Sequence, residues 1–157
     1  MAGTVGKDVE PSILRESPAT AHVDGNNLLG PVVGNFCMDL AIKKAKEVGI
    51  GMVVAKRSNH YGIAGYYSMQ AVEQDLIGMS FTNTSPLCFP TRSNTRSLGT
   101  NPITVAAPGK DNDNFVLDMA TTTVAFGKVE LSDRKGESIP KTWGADESGH
   151  VIYKKLF

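Results

Sequence analysis

The spacing of apolar residues changes just before Pro31, and this change decides which elements the first part of the chain can form. Residues 19–24 alternate apolar and polar side chains, as a strand with one buried face does, and residues 25–27 follow as a turn. From Pro31 onward, apolar side chains recur four residues apart, which is the spacing of an amphipathic helix. Pro31 suits the first turn of such a helix and Gly49 suits its end. The sequence therefore predicts a strand, a turn and a long helix in succession.

Strand and helix patterns continue to alternate through the middle of the chain. Residues 52–55 predict a second strand, residues 63–75 a second helix and residues 77–83 a third strand. Residues 10–14 carry no clear pattern and are expected to form a short lead-in. The long segment 84–101 contains Pro, Gly, Ser, Thr and Asn, and a loop of this length in a compact domain is usually functional.

The last part of the chain favours local strand pairing. Residues 103–107 and 115–119 predict two strands joined as a hairpin, and residues 121–131 predict a helix that starts in hydroxyl side chains. Together these elements place the chain in the α/β or α+β class, with a mixed sheet flanked by helices.

Length and charge restrict the classes of function. The 157 residues suit a single domain, 1–157. The equal counts of 16 basic and 16 acidic side chains give no net positive charge that would attract nucleic acid. No apolar stretch approaches the ~20 residues of a membrane span, and no secretory leader follows the first methionine. Cys37 and Cys88 lack metal or redox spacing, so we expect reduced thiols in a cytoplasmic protein.

The common nucleotide and metal motifs are absent from the sequence. Gly49 and Gly51 form a GxG that precedes a strand instead of following one, which is not the arrangement of a Rossmann turn. No Walker A or GxSxG pattern occurs. The three histidines are far apart and have no ligand-spaced partners, so no metal site is expected.

Polar segments at predicted strand ends carry the candidate chemistry, because ligands of open α/β sheets bind there. His60 lies in one of them and could exchange a proton near neutral pH, or it could only tie down a loop. Residues 83–86 could bind cofactor hydroxyls or simply form a turn. Residues 98–102 could form a substrate-contacting edge or an ordinary turn into the next strand.

Two further features have functional and structural interpretations. Residues 121–123 would place three hydroxyls at a helix start, where they could hold an anion or only cap the helix. Arg57, Arg92 and Arg96 could clamp a carboxylate or phosphate, or could be solvated side chains of polar loops.

Five segments of the chain, in this order, resemble one known family. They are SPATAHVDGNN (17–27), SNHYGIAGYY (58–67), GMSFTNTSP (78–86), LGTNPI (98–103) and FVLDMAT (115–121). Together they are similar to the type-2 malate/L-lactate dehydrogenases, a family that includes L-sulfolactate and ureidoglycolate dehydrogenases and a cyclic-imine reductase. The resemblance extends over nearly the whole chain.

The resemblance implies an NAD(P)-dependent oxidoreductase with a nucleotide-binding domain that is not Rossmann-like. It implies that His60 is the catalytic proton acceptor when a 2-hydroxy acid is oxidised, and that Thr100 contacts the substrate. It also implies that Thr84 and the segment Asp118, Met119 and Ala120 line the cofactor, which would be NAD, with NADP possible.

The resemblance also sets expectations about what the chain lacks. Family members are longer, with an N-terminal helical segment whose arginine grips the substrate carboxylate and a C-terminal segment that completes the cofactor site. We therefore expect a cofactor-binding domain that is poorly active by itself, acting on a small 2-hydroxy or 2-oxo acid and belonging to a homodimer in the full-length family. The alternative is a non-catalytic nucleotide-binding or interaction module derived from the same fold.

Overall fold

The computed structural model describes residues 5–6, 9–93, 95–146 and 150. Backbone contacts divide the chain into two compact units. The first unit consists of Met1–Ser80 and Thr104–Leu117, and the second of Phe81–Ile103 and Asp118–Phe157. Each unit is described by itself below.

The first sheet contains three strands: β1 (Ser12–Glu16), β2 (Thr20–Asp24) and β3 (Met52–Lys56). β1 is antiparallel to β2, and β2 is parallel to β3. The parallel register pairs Asp24 with Lys56, so the carboxyl ends of both strands lie side by side. The sheet is therefore mixed, as predicted.

Helix α1 (Gly30–Val48) connects β2 to β3 and packs against both strands. Pro31 lies in its first turn, and Gly49 ends it in the left-handed conformation (φ 88°), with its N–H donated to the carbonyl of Ala45. Both signals predicted from the sequence are confirmed. Val33 on this helix and Val23 on β2 are almost fully buried and form part of the core.

Helix α2 (Ala64–Val72) packs against α1. It is shorter than the predicted 63–75, because residues 73–75 turn out of the helix and Asp75 has a positive φ of 58°. Tyr67 on its inner side is 2% exposed. Its ring occupies the space where a side chain on Gly34 of α1 would lie, so the glycine allows the two helices to approach.

The second sheet contains β4 (Gly78–Phe81), β5 (Ile103–Ala107) and β6 (Phe115–Met119), in that order. The two strands predicted to pair, β5 and β6, are neighbours, and a short 3₁₀ turn, Lys110–Asn112, lies between them. The mixed α/β class is confirmed, with the strands divided between two three-stranded sheets. No described helix has both the length and the hydropathy needed to cross a bilayer.

Two further sequence predictions about element boundaries are wrong. Residues 12–16 form strand β1 where a lead-in was expected, because β1 is exposed along its whole length and shows no alternating pattern. The last helix, α3 (Phe126–Lys135), begins five residues later than predicted. Thr121 instead donates both its N–H and its hydroxyl to the carbonyl of Thr100, which holds this segment outside the helix.

Candidate active site

The loop that carries His60 leaves β3 through Arg57, which has a left-handed backbone (φ 52°). The Nε and Nη2 atoms of Arg57 lie 2.8 Å from Oδ1 and 2.7 Å from Oδ2 of Asp24, at the end of the neighbouring strand. Hydrogen bonds from Arg57 and from the N–H of Asn26 hold the pKa of Asp24 below its usual value. Arg57 therefore anchors the start of the loop, and the carboxylate it binds belongs to this chain.

Asn59 fixes the middle of the loop to the start of α1. Its Nδ2 atom donates to the carbonyls of Asn27 and Leu28, at 2.9 Å in both cases. The carbonyl of His60 lies directly against Gly30, where a side chain would overlap it. The loop backbone at His60 is thus held against α1 by two side-chain hydrogen bonds and one close approach.

Tyr61 ties the end of the loop to α2 and β4. Its ring stacks on that of Tyr67, with centroids 4.7 Å apart, and its hydroxyl lies 3.0 Å from Oγ of Ser80. The Tyr67 hydroxyl donates to the carbonyl of Tyr61. Burial, together with the two neighbouring tyrosines, raises the pKa of Tyr67, so this hydroxyl keeps its proton.

The imidazole of His60 is itself exposed. Its Nδ1 atom accepts a hydrogen bond of 3.0 Å from the backbone N–H of Gly62, whose φ of 89° is one that glycine adopts readily. The structure gives Nε2 no hydrogen-bond partner among the described residues. A loop held by these contacts therefore presents an imidazole with one nitrogen engaged and the other open to solvent.

In the second unit, the structure brings together the predicted cofactor residue Thr84 and the predicted substrate residue Thr100. Their hydroxyl oxygens lie 3.4 Å apart. The side chain of Asn101 lies 3.5 Å from the Thr84 hydroxyl and accepts a hydrogen bond of 3.0 Å from the N–H of Gly99. Gly99 is buried, and a side chain there would overlap the Thr84 hydroxyl.

The segment after β6 is joined to this cluster through Thr121, which bonds the carbonyl of Thr100. The predicted cofactor residues Asp118, Met119 and Ala120 immediately precede Thr121 and belong to the same unit. Asp118 and Met119 are exposed and Ala120 is half-buried. His60, the predicted proton acceptor, belongs to the first unit.

The long segment 84–101 is a loop, as predicted, held by a backbone bridge between Cys88 and Leu98. Arg96 lies over the ring of Phe89, with its Cζ atom 5.6 Å from the centroid, and Arg92 has a left-handed backbone (φ 66°). The predicted anion cradle is not formed by residues 121–123, since they precede α3 and do not lie in its first turn.

Hydroxyl, carboxylate and backbone groups around a buried glycine suit the ribose and amide groups of a dinucleotide. The cluster of Thr84, Gly99, Thr100 and Asn101 provides such groups, together with the exposed Asp118 three residues before Thr121, so these residues fit a nicotinamide cofactor. Within the described ranges, no three His, Cys, Asp or Glu side chains are grouped to hold a metal ion.

Sequence reasoning missed three residues that build the site, Asp24, Asn59 and Tyr67, and it gave a fourth, Thr121, a different role. One signal was available for the first of these, because Asp24 ends a predicted strand and Arg57 follows another. The carboxyl ends of parallel neighbours meet, and the register pairing Asp24 with Lys56 places the two groups together. The other three act through backbone carbonyls, which leave no mark on the sequence pattern.

The comparisons with known proteins agree with this architecture. Residues 1–153 match the malate/L-lactate dehydrogenase family, and the chain belongs to that family. It is 50% identical to a malate dehydrogenase of Pyrococcus horikoshii, over 98% of this chain and 42% of that protein. It is 47% identical to an L-sulfolactate dehydrogenase of Methanocaldococcus jannaschii, over 94% of this chain and 42% of the relative.

A solved structure supports the fold as well. Malate dehydrogenase from Entamoeba histolytica superposes with a TM-score of 0.90 at 37% identity, covering 97% of this chain and 42% of that one. A further relative, 34% identical over 94% of this chain and 42% of its own length, is a ureidoglycolate dehydrogenase (NAD(+)) of Escherichia coli O157:H7. The chain thus spans about two fifths of the length of the relatives it matches.

Proposed function

We propose that this chain is the cofactor-binding part of an NAD(P)-dependent dehydrogenase that interconverts 2-hydroxy and 2-oxo acids. Family membership over residues 1–153 is the observation that carries the proposal. The relatives named malate, L-sulfolactate and ureidoglycolate dehydrogenase share a hydroxyl next to a carboxylate or its equivalent in their substrates. The substrate class follows from that common chemistry, and the substrate itself is a small-molecule acid.

In this proposal the nicotinamide cofactor supplies hydride chemistry at C2 of the acid. His60 exchanges the proton of the C2 oxygen, which an imidazole on a rigid loop suits because proton transfer needs a fixed hydrogen-bonding partner. Thr100 binds the substrate through its hydroxyl. Thr84 and the segment Asp118, Met119 and Ala120 bind the cofactor, with NAD as the first candidate and NADP as the second.

The tight support of His60 favours a chemical role for this residue. A loop that only joins β3 to α2 does not need the ion pair of Arg57, the two hydrogen bonds of Asn59 and the stacking of Tyr61. Catalytic groups do need such support, since a displacement of about 1 Å costs about two orders of magnitude in rate.

Fluorescence titration with NADH tests the binding proposal on the 157-residue chain. We expect saturable but weak binding that falls two- to about tenfold in Thr84→Val, the range for one lost hydrogen bond. Thr142→Val is the matched control, because Thr142 is exposed and lies outside every segment assigned to the cofactor or the substrate. A well-folded chain without saturable binding would contradict the proposal and favour a non-catalytic interaction module.

Turnover is tested separately with NADH and pyruvate or oxaloacetate. We expect little or no NADH oxidation by this chain, because Arg57, whose guanidinium could grip a carboxylate, is already bound to Asp24. Robust turnover would contradict this expectation and show that the described residues suffice for catalysis. We further propose that the full-length enzyme is a homodimer in the cytoplasm. Gel filtration of a longer chain tests the oligomeric state.

A further inference from the structure

His60 and Gly62 are joined by a contact that defines the hydrogen on the imidazole. The backbone N–H of Gly62 donates to Nδ1 of His60 at 3.0 Å. A backbone N–H can only donate, so Nδ1 must present its lone pair. The neutral imidazole then carries its hydrogen on Nε2.

We propose that the Gly62 N–H is a positioning group that sets His60 in the tautomer able to bind a 2-oxo acid. This inference rests on the proposed function of His60. With hydrogen on Nε2, the open nitrogen donates to a carbonyl oxygen and cannot accept from a hydroxyl. The resting loop therefore matches the oxo acid, and it can meet a hydroxy acid only as a donor and not as the base that oxidation requires.

The same contact must open before His60 can accept a proton. In oxidation, the C2–H bond delivers its electron pair and hydrogen to the nicotinamide as hydride. The hydroxyl proton passes to a ring nitrogen, and the C2–O bond becomes a double bond. For Nε2 to take that proton, Nδ1 must already carry hydrogen, which would point at the Gly62 N–H. Breaking the contact, or rotating the ring, therefore precedes proton uptake.

Other hydrogen bonds of the loop hold the Gly62 N–H in the direction of His60. The N–H of Gly62 shares a peptide plane with the carbonyl of Tyr61, which accepts a hydrogen bond from the Tyr67 hydroxyl, so that bond fixes the direction of this N–H. The backbone on either side is held, since Asn59 bonds the start of α1 and Tyr67 bonds the Tyr61 carbonyl. The exposed imidazole meets this N–H through Nδ1.

Nuclear magnetic resonance on the ¹⁵N-labelled 157-residue chain tests the proposal, at a pH where histidine side chains are neutral. We expect a scalar coupling across the hydrogen bond between the Gly62 amide nitrogen and Nδ1 of His60. We also expect a pyridine-type shift for Nδ1 and a pyrrole-type shift for Nε2. His22, exposed on β2, is the internal reference for a ring that samples both tautomers.

A variant pair separates the contact from general backbone strain. Gly62→Ala and Gly49→Ala both place a side chain at a φ near +89° with open space around it. Alanine keeps the N–H, so its effect comes from relief of the strained φ, which moves this N–H away from Nδ1. Gly62→Ala, and not Gly49→Ala, should therefore shift the His60 nitrogens toward the His22 pattern. Hydrogen on Nδ1, or a missing coupling in the unmodified chain, overturns the proposal. Neither result depends on NADH binding, so failure of the proposed function is recognised separately.

Discussion

Arg57 and Asp24 form a forked ion pair, with Nη2 of Arg57 2.7 Å from Oδ2 of Asp24 and Nε 2.8 Å from Oδ1. Asp24 ends β2 and is buried, whereas Arg57 follows β3 and is largely exposed. The pair joins the carboxyl ends of the two parallel strands β2 and β3, at the point where the His60 loop begins. Fold and candidate chemistry therefore depend on the same contact.

We predict that this ion pair contributes stability that is lost at acid pH. The pKa of Asp24 is lowered in the folded chain, chiefly by the hydrogen bonds from Arg57. A group of this kind stabilises the fold above its unfolded pKa of ~3.9, and the contribution is lost as pH falls through the folded value. Urea unfolding should show that Asp24→Asn is less stable than the unmodified chain at neutral pH. Below about pH 4, the free energy of unfolding should fall less in this variant than in the unmodified chain.

Asp39→Asn is the control for this prediction. Asp39 is an exposed carboxylate on α1, and removing it should leave the loss of stability at acid pH unchanged. If the free energy of unfolding falls equally with pH in Asp24→Asn and in the unmodified chain, the role assigned to Asp24 is contradicted. Arg57→Lys should also lower the stability at neutral pH, since lysine cannot make the forked contact.

A second prediction concerns the buried glycine of the hydroxyl cluster. In Gly99→Ala, the new methyl group overlaps the Thr84 hydroxyl and the Ser85 carbonyl. We expect a loss of about 1–3 kcal/mol in the free energy of unfolding, the usual cost of overpacking, together with weaker NADH binding. Gly127→Ala in α3 is the matched control, because nothing lies within 4 Å of the added atom. It should be neutral or stabilise by up to about 1 kcal/mol.

Equal effects of these two substitutions would mean that the second unit tolerates a methyl group at Gly99. Normal stability of Gly99→Ala with lost NADH binding would instead place the effect in the binding site alone. Urea unfolding and NADH titration of the same preparations distinguish these outcomes.

Sequence patterns were sufficient where the deciding residues lie close together. Helix α1 was predicted because Pro31 and Gly49 act within one turn of its ends. The start of α3 was predicted wrongly because Thr121 is held by a carbonyl 21 residues earlier, which no local pattern records. Strand β1 was missed because it is exposed along its length, so burial imposed no alternation on it.

The same distinction applies to the candidate site. The resemblance pointed to Thr84 and Thr100, and the structure brings their hydroxyls together across 16 residues of loop. The contacts that hold the His60 loop were not predicted, and three of them end on backbone carbonyls. Such contacts depend on the path of the chain and hardly on the identity of the accepting residue.

A third prediction concerns the thiol of Cys37 on α1. Burial raises its pKa to about 11. At about pH 8, only about a thousandth of this thiol is ionised, against about a quarter of an unperturbed cysteine, and the thiolate is the reactive form. Alkylation by iodoacetamide should be about a hundredfold slower in the folded chain than in urea, followed by mass spectrometry of the peptide. Equal rates in the two conditions would contradict the burial of the thiol.

The fourth prediction concerns a chain of buried hydroxyls that joins α2 to β4 and β5. Ser68 lies 3.0 Å from the Thr104 hydroxyl, which in turn donates to the carbonyl of Ser80 at 3.1 Å. Ser68 and Thr104 are fully buried. Thr104→Val keeps the shape but leaves the Ser80 carbonyl without this donor, so we expect a loss of about 1–3 kcal/mol.

A double-mutant cycle with Ser68→Ala measures the coupling between the two hydroxyls. Residues within one hydrogen-bond network couple by about 0.5–3 kcal/mol, and Thr104→Val should therefore cost less when Ser68 is already alanine. Thr123→Val, at an exposed threonine, is the control and should stay within about 0.5 kcal/mol. Additive losses in the cycle would show that the hydroxyls act independently.

The same substitution should also affect the His60 loop. Because Ser80 contacts the Tyr61 hydroxyl through its side chain, Thr104→Val should broaden the nuclear magnetic resonance signals of that loop.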